Sequence, residues 1–294
     1  MKSVLITGAT GYFGQGMVKR LLELPDEGCY RICVYSRDEA KQASMRASLD
    51  DPHQRIRWFV GDVRDRDRLQ HAMQDIQVVI HAAALKRVET GEYDTSEIVK
   101  TNILGTQNVI DAAKQESHGS RMTPMRVIAL STDKACAPVN AYGASKLLME
   151  KMVLGANNAR GTYGPKFAIS RYGNVAGSTG SVIPTWRTAI RENRPIYMTD
   201  PNATRFWMTQ KEAIDLVINT ASKMHGGELV IPDLPAYRLG DLLQAMTPRT
   251  PENLQTLGLG PGEKLHERMK EDGPDSSQVR RMTVDELREA LKSV

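Results

Sequence analysis

The feature that most constrains this chain is a short apolar segment followed at once by three spaced glycines. The segment "SVLIT" spans residues 3–7, and "TGATGYFG" continues it with Gly8, Gly11 and Gly14. Glycines at a turn from strand to helix let the backbone approach a pyrophosphate, which then lies at the positive end of the helix. The required context, a strand before the turn and an amphipathic helix after it, is met. The start of the chain therefore predicts a dinucleotide-binding unit.

The first half of the chain alternates apolar runs with amphipathic stretches. The runs predict strands at residues 3–7, 31–36, 56–61, 78–84, 125–132, 166–174 and 227–232. The stretches predict helices at residues 14–24, 38–49, 66–74, 95–117 and 141–158. Continuous apolar runs are typical of parallel strands buried on both faces. We therefore predict an α/β fold with a doubly wound parallel (Rossmann) sheet of about seven strands.

After residue 172 the pattern becomes irregular, with more glycine and proline. We interpret residues 1–172 plus 206–232 as the dinucleotide-binding domain. Residues 173–205 plus 233–294 are interpreted as a smaller substrate-binding lobe. Within that lobe, Thr283 and Glu286 form a capping-box pattern that predicts the start of a last helix.

Composition excludes several classes of protein. The net charge is only +4 and basic residues are interspersed with acidic ones, so we expect no nucleic-acid partner. No stretch approaches the roughly 20 apolar residues that span a bilayer, so we expect no membrane insertion. Three cysteines without a CxxC pair indicate free thiols in a reducing cytoplasm. The histidines are scattered without metal-ligand spacing, so we expect no metal.

The end of the second strand bears on the choice of cofactor. An NAD-binding protein usually has an acidic residue there, whereas this chain has Ser36 and Arg37, with Lys41 one turn later. A hydroxyl and two cations suit the 2′-phosphate of NADP. The alternative is a solvated helix start, because Asp38 and Glu39 also suit a first helical turn. We favour NADP. Two further segments, Asp62 after the third strand and "HAAA" (81–84) after the fourth, are expected beside the cofactor, Asp62 near the adenine.

Two sets of reactive side chains lie close together after the fifth strand. Tyr142 and Lys146 are spaced i and i+4, so they share one helix face. A tyrosine has a free pKa of about 10, and a neighbouring ammonium favours its phenolate. Asp133 and Lys134 form the second set. Alone, they are more typical of an ordinary salt-bridged loop, but ligands bind at the carboxyl ends of strands in doubly wound folds, and this position favours a catalytic role.

Motifs throughout the chain resemble the extended short-chain dehydrogenase/reductases. They are TGATGYFG (7–14), GDV (61–63), HAAA (81–84), TNILGTQNVIDAA (101–113), STDK (131–134), YGASK (142–146) and RYGNV (171–175). Further segments resemble a narrower group, the inverting UDP-N-acetylglucosamine 4,6-dehydratases of polysaccharide biosynthesis. These are VYSRDEAKQ (34–42), AALKRVE (83–89), GSTGSVIPTW (177–186), TDPNATRFWMT (199–209) and GPGEKLHE (260–267).

The narrower resemblance implies a reaction that needs both sets of side chains. It implies that Tyr142 takes the C4 hydroxyl proton as C4 is oxidised, with Thr132 hydrogen-bonding that oxygen and Lys146 holding the nicotinamide ribose. Lys134 then removes the C5 proton and Asp133 protonates the leaving C6 hydroxyl. Hydride returns to C6, and reprotonation of C5 from the opposite face inverts that centre. A lysine acts as a base near neutral pH only if its pKa falls, which we expect burial and Lys146 to promote for Lys134. Asp133, as the acid, needs a raised pKa.

The resemblance also implies the remaining site residues. Those expected at the cofactor are Gly8, Thr10, Gly11, Tyr12, Phe13, Gly14, Ser36, Arg37, Lys41, Asp62, Val63, Ala82, Ala83, Ala84, Lys86, Asn102, Tyr142, Lys146 and Tyr172. Those expected at the nucleotide sugar are Lys86, Asn174, Ser181, Val182, Arg205 and Glu263. Asn102 is also expected to order the active-site helix. The helices at 95–117 and 141–158 are expected to form a homo-oligomer.

Two positions depart from the family pattern. Thr179 and Gly260 stand where relatives usually have arginine, which bears on the nucleotide, the sugar and the oligomer. Several alternative functions also stay open. A nucleotide-sugar 4-epimerase or reductase would not need Asp133 and Lys134 as an acid/base pair. A retaining 4,6-dehydratase typically has Glu after the Asp. A dehydratase for another nucleotide sugar and a non-enzymatic NADP-binding regulator are the remaining alternatives.

Overall fold

A seven-stranded parallel sheet forms the centre of the molecule in the computed structural model, which describes residues 1–25, 28–116, 124–247, 251 and 253–294. Its strands are β1 Ser3–Thr7, β2 Arg31–Ser36, β3 Ile56–Val60, β4 Val78–His81, β5 Arg126–Thr132, β6 Lys166–Tyr172 and β10 Leu229–Val230. Their order across the sheet is β3-β2-β1-β4-β5-β6-β10, and every pair is parallel. The predicted fold class is thereby confirmed.

Helices follow most of these strands, as the alternating pattern predicts. They are α1 Tyr12–Leu22, α2 Glu39–Ser48, α3 Arg66–Ala72, α4 Val88–Tyr93, α5 Thr95–Ile98, α6 Gly105–Glu116, α7 Ala141–Gly155, α8 Val182–Arg191, α9 Gln210–Lys223, α10 Leu239–Met246 and α11 Val284–Ala290. The helix predicted at 95–117 is α5, a π-helical segment at Val99–Leu104 and α6 in succession. Its last predicted residue, 117, lies outside the described residues.

Alternation along the central strands divides the core between the two faces of the sheet. Val4 and Ile6 of β1 pack in one cluster, which includes Met17 of α1 and Val217 of α9. Leu5 packs in the opposite cluster, which is covered by α3, α6 and α7. Successive side chains of a strand point to opposite faces, so only a strand apolar at every position can serve both clusters. This explains the continuous apolar runs of the sequence.

A third core cluster lies in the later part of the chain. It includes Ile183, Trp186, Trp207, Tyr237 and Leu287. Two small sheets accompany this cluster: β11 Ala236–Arg238, β9 Thr204–Met208 and β7 Asn174–Val175 form one, and β12 Leu254–Thr256 with β8 Ile196–Met198 the other. The division into two parts at the predicted residue numbers stays a prediction.

The predicted capping box at the last helix is present. The side chain of Thr283 accepts a hydrogen bond from the backbone N–H of Glu286, and the Glu286 carboxylate accepts one from the backbone N–H of Thr283. The backbone N–H groups of Thr283 and Glu286 thus both have hydrogen-bond acceptors. Helix α11 starts directly after Thr283, as the sequence predicts.

The direction in which the strand order grows reverses between β1 and β4. Parallel sheets of this kind open a crevice at the carboxyl ends of the strands on either side of such a reversal. The fold therefore places the turns after β1, β4 and β5 around one crevice. Among the described residues, no helix has both the length and the apolar character needed to cross a membrane.

Candidate active site

The glycine turn after β1 is shaped by close backbone contacts. Gly8 has φ +68°, and a Cβ there would lie 2.9 Å from the backbone of Ala83. A Cβ on Gly14 would lie 2.5 Å from the Cα and carbonyl oxygen of Ala9. Only glycine fits these two positions without displacing backbone. The result is an α1 that starts directly behind the end of β1.

The N-terminus of α1 is open to an anion. Its N-cap residue, Gly11, makes no side-chain capping bond, and the first turn has no acidic residue. Free backbone N–H groups at a helix start attract phosphate oxygens. The turn and the helix start therefore fit the pyrophosphate of a nicotinamide dinucleotide.

A large cleft, with a volume of about 1310 Å³, runs along the carboxyl ends of the strands. The structure brings most of the predicted site residues to its wall. They are Gly8, Thr10, Gly11, Tyr12, Phe13, Gly14, Ser36, Arg37, Lys41, Val63, Ala82, Ala83, Ala84, Lys86, Thr132, Lys134, Tyr142, Lys146, Tyr172, Asn174, Ser181 and Glu263. Five predicted residues do not line this cleft: Asp62, Asn102, Asp133, Val182 and Arg205.

Asp62 lies beside Arg37, which lines the cleft at the part predicted for the adenosine. The Asp62 carboxylate accepts hydrogen bonds from the guanidinium of Arg64 at 2.7 and 2.9 Å, and an oxygen of it lies 3.7 Å from Arg37. These cations keep the pKa of Asp62 low despite burial. The Asp62 carboxylate is turned to Arg64 in this structure, and its contact with the adenine ring stays a prediction. Ser36, Arg37 and Lys41 do line the cleft.

Arg205 and Val182 also differ from expectation. The Arg205 side chain is buried and donates to the carbonyl oxygens of Thr204 at 2.8 Å and Leu265 at 3.1 Å. One guanidinium nitrogen, Nη1, thus binds backbone carbonyls within the protein, and Arg205 is not among the residues that line the cleft. Val182 begins α8 just behind Ser181, whose buried Oγ has no hydrogen-bond partner among the described residues.

Asn102 lies in the π-helical segment and joins two parts of the site. Its side-chain amide accepts from the backbone N–H of Leu85 at 2.8 Å and donates to the Leu85 carbonyl at 2.9 Å. It also donates to Oγ of Ser145 at 3.0 Å. Ser145 belongs to α7, so Asn102 ties the chain after β4 to the helix that carries Tyr142. This geometry suits the predicted ordering role, although Asn102 does not reach the cleft.

The turn after β5 carries the predicted acid/base pair. Thr132 ends the strand, and residues Asp133–Ala135 form a single 3-10 turn. A Cβ on Gly143 would lie 2.3 Å from the carbonyl oxygen of Lys134, so α7 packs directly against this turn. That close approach brings Tyr142, in the first turn of α7, beside Thr132.

Asp133 is completely buried. Its Oδ1 accepts hydrogen bonds from Thr132 Oγ1 at 2.9 Å and Lys134 Nζ at 3.2 Å. Its Oδ2 has no hydrogen-bond partner in the described part of the chain. A Cβ on Gly173 would lie 3.6 Å from that oxygen, and Gly173 lines the cleft. The free carboxylate oxygen therefore lies immediately behind the cleft wall.

Lys134 lies between two carboxylates. Its Nζ is 3.2 Å from Asp133 Oδ1 and 3.2 Å from Glu267 Oε1. Burial by itself lowers the pKa of Lys134, but Asp133 and Glu267 together outweigh it and raise that pKa above the ordinary value. The expected fall in the Lys134 pKa was wrong, because the sequence did not indicate the second carboxylate.

Tyr142 and Lys146 share the buried face of α7. Burial raises the pKa of Tyr142 to about 12, while the Lys134 cation and a hydrogen bond with Thr132 oppose that rise. The expected lowering of the Tyr142 pKa is thus not met. Burial lowers the pKa of Lys146 to about 8, against the opposing effect of Glu150.

Sequence reasoning missed three charged residues near the cleft. Glu267 ends the quoted motif GPGEKLHE, whose composition gave the only available signal. Glu150 is buried and ion-paired with Arg171, behind Lys146. Arg87 lines the cleft beside Gly180, where it supplies a cation next to Thr179, one of the two positions that lack the usual arginine.

Comparisons with known proteins show the family to which the chain belongs. The model of a family described as "Polysaccharide biosynthesis protein" matches residues 4–286. A UDP-N-acetylglucosamine 4,6-dehydratase (inverting) from Campylobacter jejuni is 45% identical over 269 residues, which cover 91% of this chain and 77% of that protein. A UDP-glucose 4-epimerase from Rickettsia bellii is 38% identical over 269 residues, covering 90% of this chain and 76% of that protein.

A solved structure is also closely similar. The X-ray structure of Pen from Bacillus thuringiensis superposes with a TM-score of 0.91 at 34% identity, and the match covers 100% of this chain and 98% of that one. The similarity therefore extends over the whole fold, including the cleft and the chain that surrounds it.

Proposed function

The chain belongs to the polysaccharide biosynthesis protein family, as its motifs indicate, and from this premise we propose that it is an NADP-dependent nucleotide-sugar 4,6-dehydratase. The proposed substrate is UDP-N-acetylglucosamine, and the proposed reaction is a carbon–oxygen lyase reaction with inversion at C5. One observation carries the proposal: Asp133 and Lys134 are held in hydrogen-bond contact next to Thr132 and Tyr142. Oxidation and re-reduction at C4 alone would need only Thr132, Tyr142 and Lys146.

Oxidation at C4 is assigned to the residues of α7 and the end of β5. A bound nicotinamide would supply the hydride acceptor for C4 and the hydride donor for C6. Tyr142 takes the proton of the C4 hydroxyl, and Thr132 hydrogen-bonds the same oxygen. The buried Lys146 lies one turn along α7 and orients the cofactor ribose.

Elimination is assigned to Asp133 and Lys134. At rest their geometry favours an ammonium and a carboxylate, 3.2 Å apart. Transfer of one proton from Lys134 to Asp133 along this contact leaves a neutral amine and a neutral carboxylic acid, without any change in net charge. These are the base and the acid that loss of water requires. Proton removal from C5 by Lys134 and proton donation to the C6 oxygen by Asp133 then restore the ion pair.

The cleft offers polar groups of both signs to the substrate. Asn174, Ser181 and Glu263 line it, as does the cation of Lys86. We assign the nucleotide sugar to this wall, and we assign Arg87 to its diphosphate because a guanidinium can bind phosphate oxygens in pairs. Arg205 contributes indirectly, by fixing the backbone of Leu265.

The reaction is tested by NMR of UDP-N-acetylglucosamine incubated with the protein in D₂O, with and without added NADP. We expect a 6-deoxy-4-keto sugar with deuterium at an inverted C5. Retention at C5 would overturn the stereochemical assignment. Absence of any product would contradict the assigned substrate and direct the search to other nucleotide sugars.

A nucleotide-sugar 4-epimerase is the second candidate. It is favoured by the similarity to a UDP-glucose 4-epimerase and by the Thr132, Tyr142 and Lys146 set, which such chemistry also uses. The same NMR experiment separates the two, since a 4-epimer that retains its C6 oxygen and carries no deuterium at C5 would identify this activity.

The preference for NADP is proposed from Ser36, Arg37 and Lys41 on the cleft wall. The Arg37 guanidinium is half-exposed and lies 3.7 Å from its nearest carboxylate oxygen, so it is loosely held in the protein. We predict that Arg37→Ala weakens NADP binding by roughly 10-fold or more, the effect of losing a charge-assisted bond, and leaves NAD binding unchanged. Titration with both nucleotides measures this. Equal losses for the two would contradict the assignment.

A homo-oligomer and a cytoplasmic location stay predictions. Leu104, at the end of the π-helical segment, and Leu148 of α7 are both about half-exposed. These apolar side chains lie on the two helices predicted to form the subunit contact and support that prediction. Size-exclusion chromatography of the wild type and a Leu148→Lys variant would test it.

A further inference from the structure

The chain segment at residues 260–267 runs along the catalytic turn, far from it in sequence. Asn140, the N-cap of α7, donates to the carbonyl oxygen of Gly262 at 2.7 Å. Lys264 Nζ donates to the carbonyl oxygen of Cys136 at 2.7 Å. Two hydrogen bonds thus join the segment to the chain around the catalytic turn, and neither involves an acidic side chain.

Glu267 ends this segment and points into the same place. It is 2% exposed, and its Oε1 lies 3.2 Å from Lys134 Nζ. Its Oε2 has no hydrogen-bond partner within the described ranges, although Lys264 Nζ lies 3.7 Å away. A buried carboxylate with an unused oxygen is costly for a fold to keep. Its contact with Lys134 offers a reason for its presence.

The backbone of Glu267 is fixed independently of its carboxylate. Its N–H donates to Ser276 Oγ at 2.9 Å, and Ser276 Oγ contacts Oγ1 of Thr204 at 2.6 Å. Thr204 belongs to β9, and its N–H donates to the carbonyl oxygen of Leu265 at 2.9 Å. The Glu267 backbone is therefore positioned by β9 and the C-terminal chain, independently of the ion pair with Lys134.

Several other groups face the Lys134 amine. Asp133 attracts it from the turn, and Arg205 of β9 repels it. Asn174 Oδ1 lies 3.5 Å from its Nζ. The hydroxyls of Tyr142 and Tyr237 are close enough for the Lys134 cation to lower their pKa values. Among these groups, Glu267 and Asp133 supply the two negative charges that balance the ammonium.

We propose that Glu267 is a positioning residue of the dehydration step, which anchors the Lys134 amine between two carboxylates at the cleft wall. The inference rests on the proposed function. A lysine side chain has four rotatable bonds, and one anchor on Asp133 alone leaves Nζ free to turn around that oxygen. A second anchor from a different element fixes Nζ in one place. A base acts efficiently only when it is held within reach of the proton that it removes.

The first test measures the protonation of Lys134 directly, by NMR of the lysine side-chain nitrogen in ¹⁵N-lysine-labelled protein. The Lys134 signal is assigned by its loss in Lys134→Arg. We expect the wild-type amine to stay an ammonium above the ordinary lysine value of about 10.4. In Glu267→Gln, we expect its pKa to fall by about 1 to 3 pH units, because one of two adjacent opposite charges is removed. Glu289→Gln, on an exposed ion pair of α11, is the matched control.

The second test separates the steps of the reaction. In Glu267→Gln, we expect deuterium incorporation at C5 to slow by roughly 10- to 100-fold, part of the usual contribution of a general base. Reduction of bound cofactor by substrate, which reports oxidation at C4, should change less than about threefold. Glu267→Asp, which keeps the charge, should recover part of the C5 rate.

The outcomes are distinct. An unchanged Lys134 pKa in folded Glu267→Gln, or an equal slowing of both steps, would overturn the proposal even if activity fell. Should the variant fail to fold, a wild-type Lys134 that loses its proton below the ordinary value would overturn it as well. If the wild type performs no dehydration but the Lys134 pKa falls in Glu267→Gln, the anchoring stands and the proposed function fails.

Discussion

The turns after β1 and β5 open into the same cleft but differ in residue composition. The turn after β1 has three glycines, open backbone N–H groups and no acidic side chain. The turn after β5 has a fully buried carboxylate, an ammonium between two carboxylates and a threonine hydroxyl. The first can bind a charged ligand without holding charge of its own, whereas the second holds reactive charge out of water.

This difference has a structural basis in where the contacts originate. Gly8 contacts the chain after β4, and Gly14 contacts Ala9 five residues earlier, so the first turn is completed within the N-terminal sheet. The Lys134 ammonium in the second turn is paired with Glu267, which lies more than a hundred residues later in the chain. A binding turn can be local, while the charged turn needs balancing groups from several elements because unpaired buried charge is costly.

The largest effect should come from replacing the proposed base without removing its charge. Lys134→Arg keeps a cation between Asp133 and Glu267, but arginine stays protonated and cannot accept the C5 proton. We expect product formation to fall by roughly 10²- to 10⁴-fold, with little change in thermal stability. NMR of the product and a thermal melt measure the two quantities.

The exposed Lys151 of α7 provides the control for that change, and Lys151→Arg should behave as the wild type. Should Lys134→Arg instead retain its rate within a few fold, Lys134 would be a fixed cation rather than a base. The contrast between a binding turn and a reactive turn would then be lost.

A smaller effect is expected from the glycine turn. In Gly14→Ala the new Cβ would lie 2.5 Å from the Ala9 backbone, so α1 must move away from the end of β1. We expect a loss of about 1–3 kcal/mol in the free energy of unfolding, as for other overpacked sites, together with weaker nucleotide binding. Urea unfolding and a nucleotide titration measure these changes.

Gly155, at the end of α7, is the matched control because no atom lies within 4 Å of its added Cβ. Gly155→Ala should lose no stability and could gain up to about 1 kcal/mol from helix propensity. If Gly14→Ala proves as stable as Gly155→Ala, the close approach is not what shapes the turn.

The last effect is confined to acidic pH and tests whether the region around the turn after β1 is held uncharged. His81 ends β4 and contacts the hydroxyls of Thr7 at 2.8 Å and Thr106 at 3.1 Å. Burial lowers its pKa to about 3, against about 6.5 when unfolded. Between these values only the unfolded chain binds the proton, so stability falls as pH falls from about 6.5.

His81 should therefore contribute a loss of roughly 1.4 kcal/mol in the free energy of unfolding per pH unit between pH 6 and 4. His81→Gln retains a polar side chain but has no such proton to bind, so its unfolding free energy should fall less steeply. Urea unfolding at several pH values gives both slopes. Parallel slopes would show that this histidine is not held neutral in the fold.

The sequence predicted much of the fold because its signals are local. The bounds of β1 and β2 were predicted to the residue, and the glycine turn and the capping box at Thr283 also agree with the structure. The prediction of one helix at 95–117 was less accurate. Nothing in the periodicity of these residues indicates the π-helical segment that directs the Asn102 side chain toward Leu85 and Ser145. The strands predicted at 78–84, 166–174 and 227–232 are longer than the observed β4, β6 and β10, because residue types do not mark where pairing with the neighbouring strand stops.

The site was predicted less completely, for a related reason. Residue types and their spacing placed Tyr142, Lys134 and the glycine turn at one cleft, since the carboxyl ends of parallel strands meet there. The sequence pattern could not indicate that the Arg205 guanidinium donates to backbone carbonyls or that the Asp62 carboxylate binds Arg64. Such choices depend on which neighbours a side chain meets.

By itself, the sequence determined the parallel sheet, the glycine turn after β1 and the side chains available for chemistry. These follow from periodicity, from glycine geometry and from the chemistry of each side chain, none of which requires a distant partner. Only the tertiary structure decided the protonation of Lys134. That property depends on the sum of burial and nearby charges, and one of the two carboxylates that raise the Lys134 pKa, Glu267, belongs to a segment more than a hundred residues later in the chain.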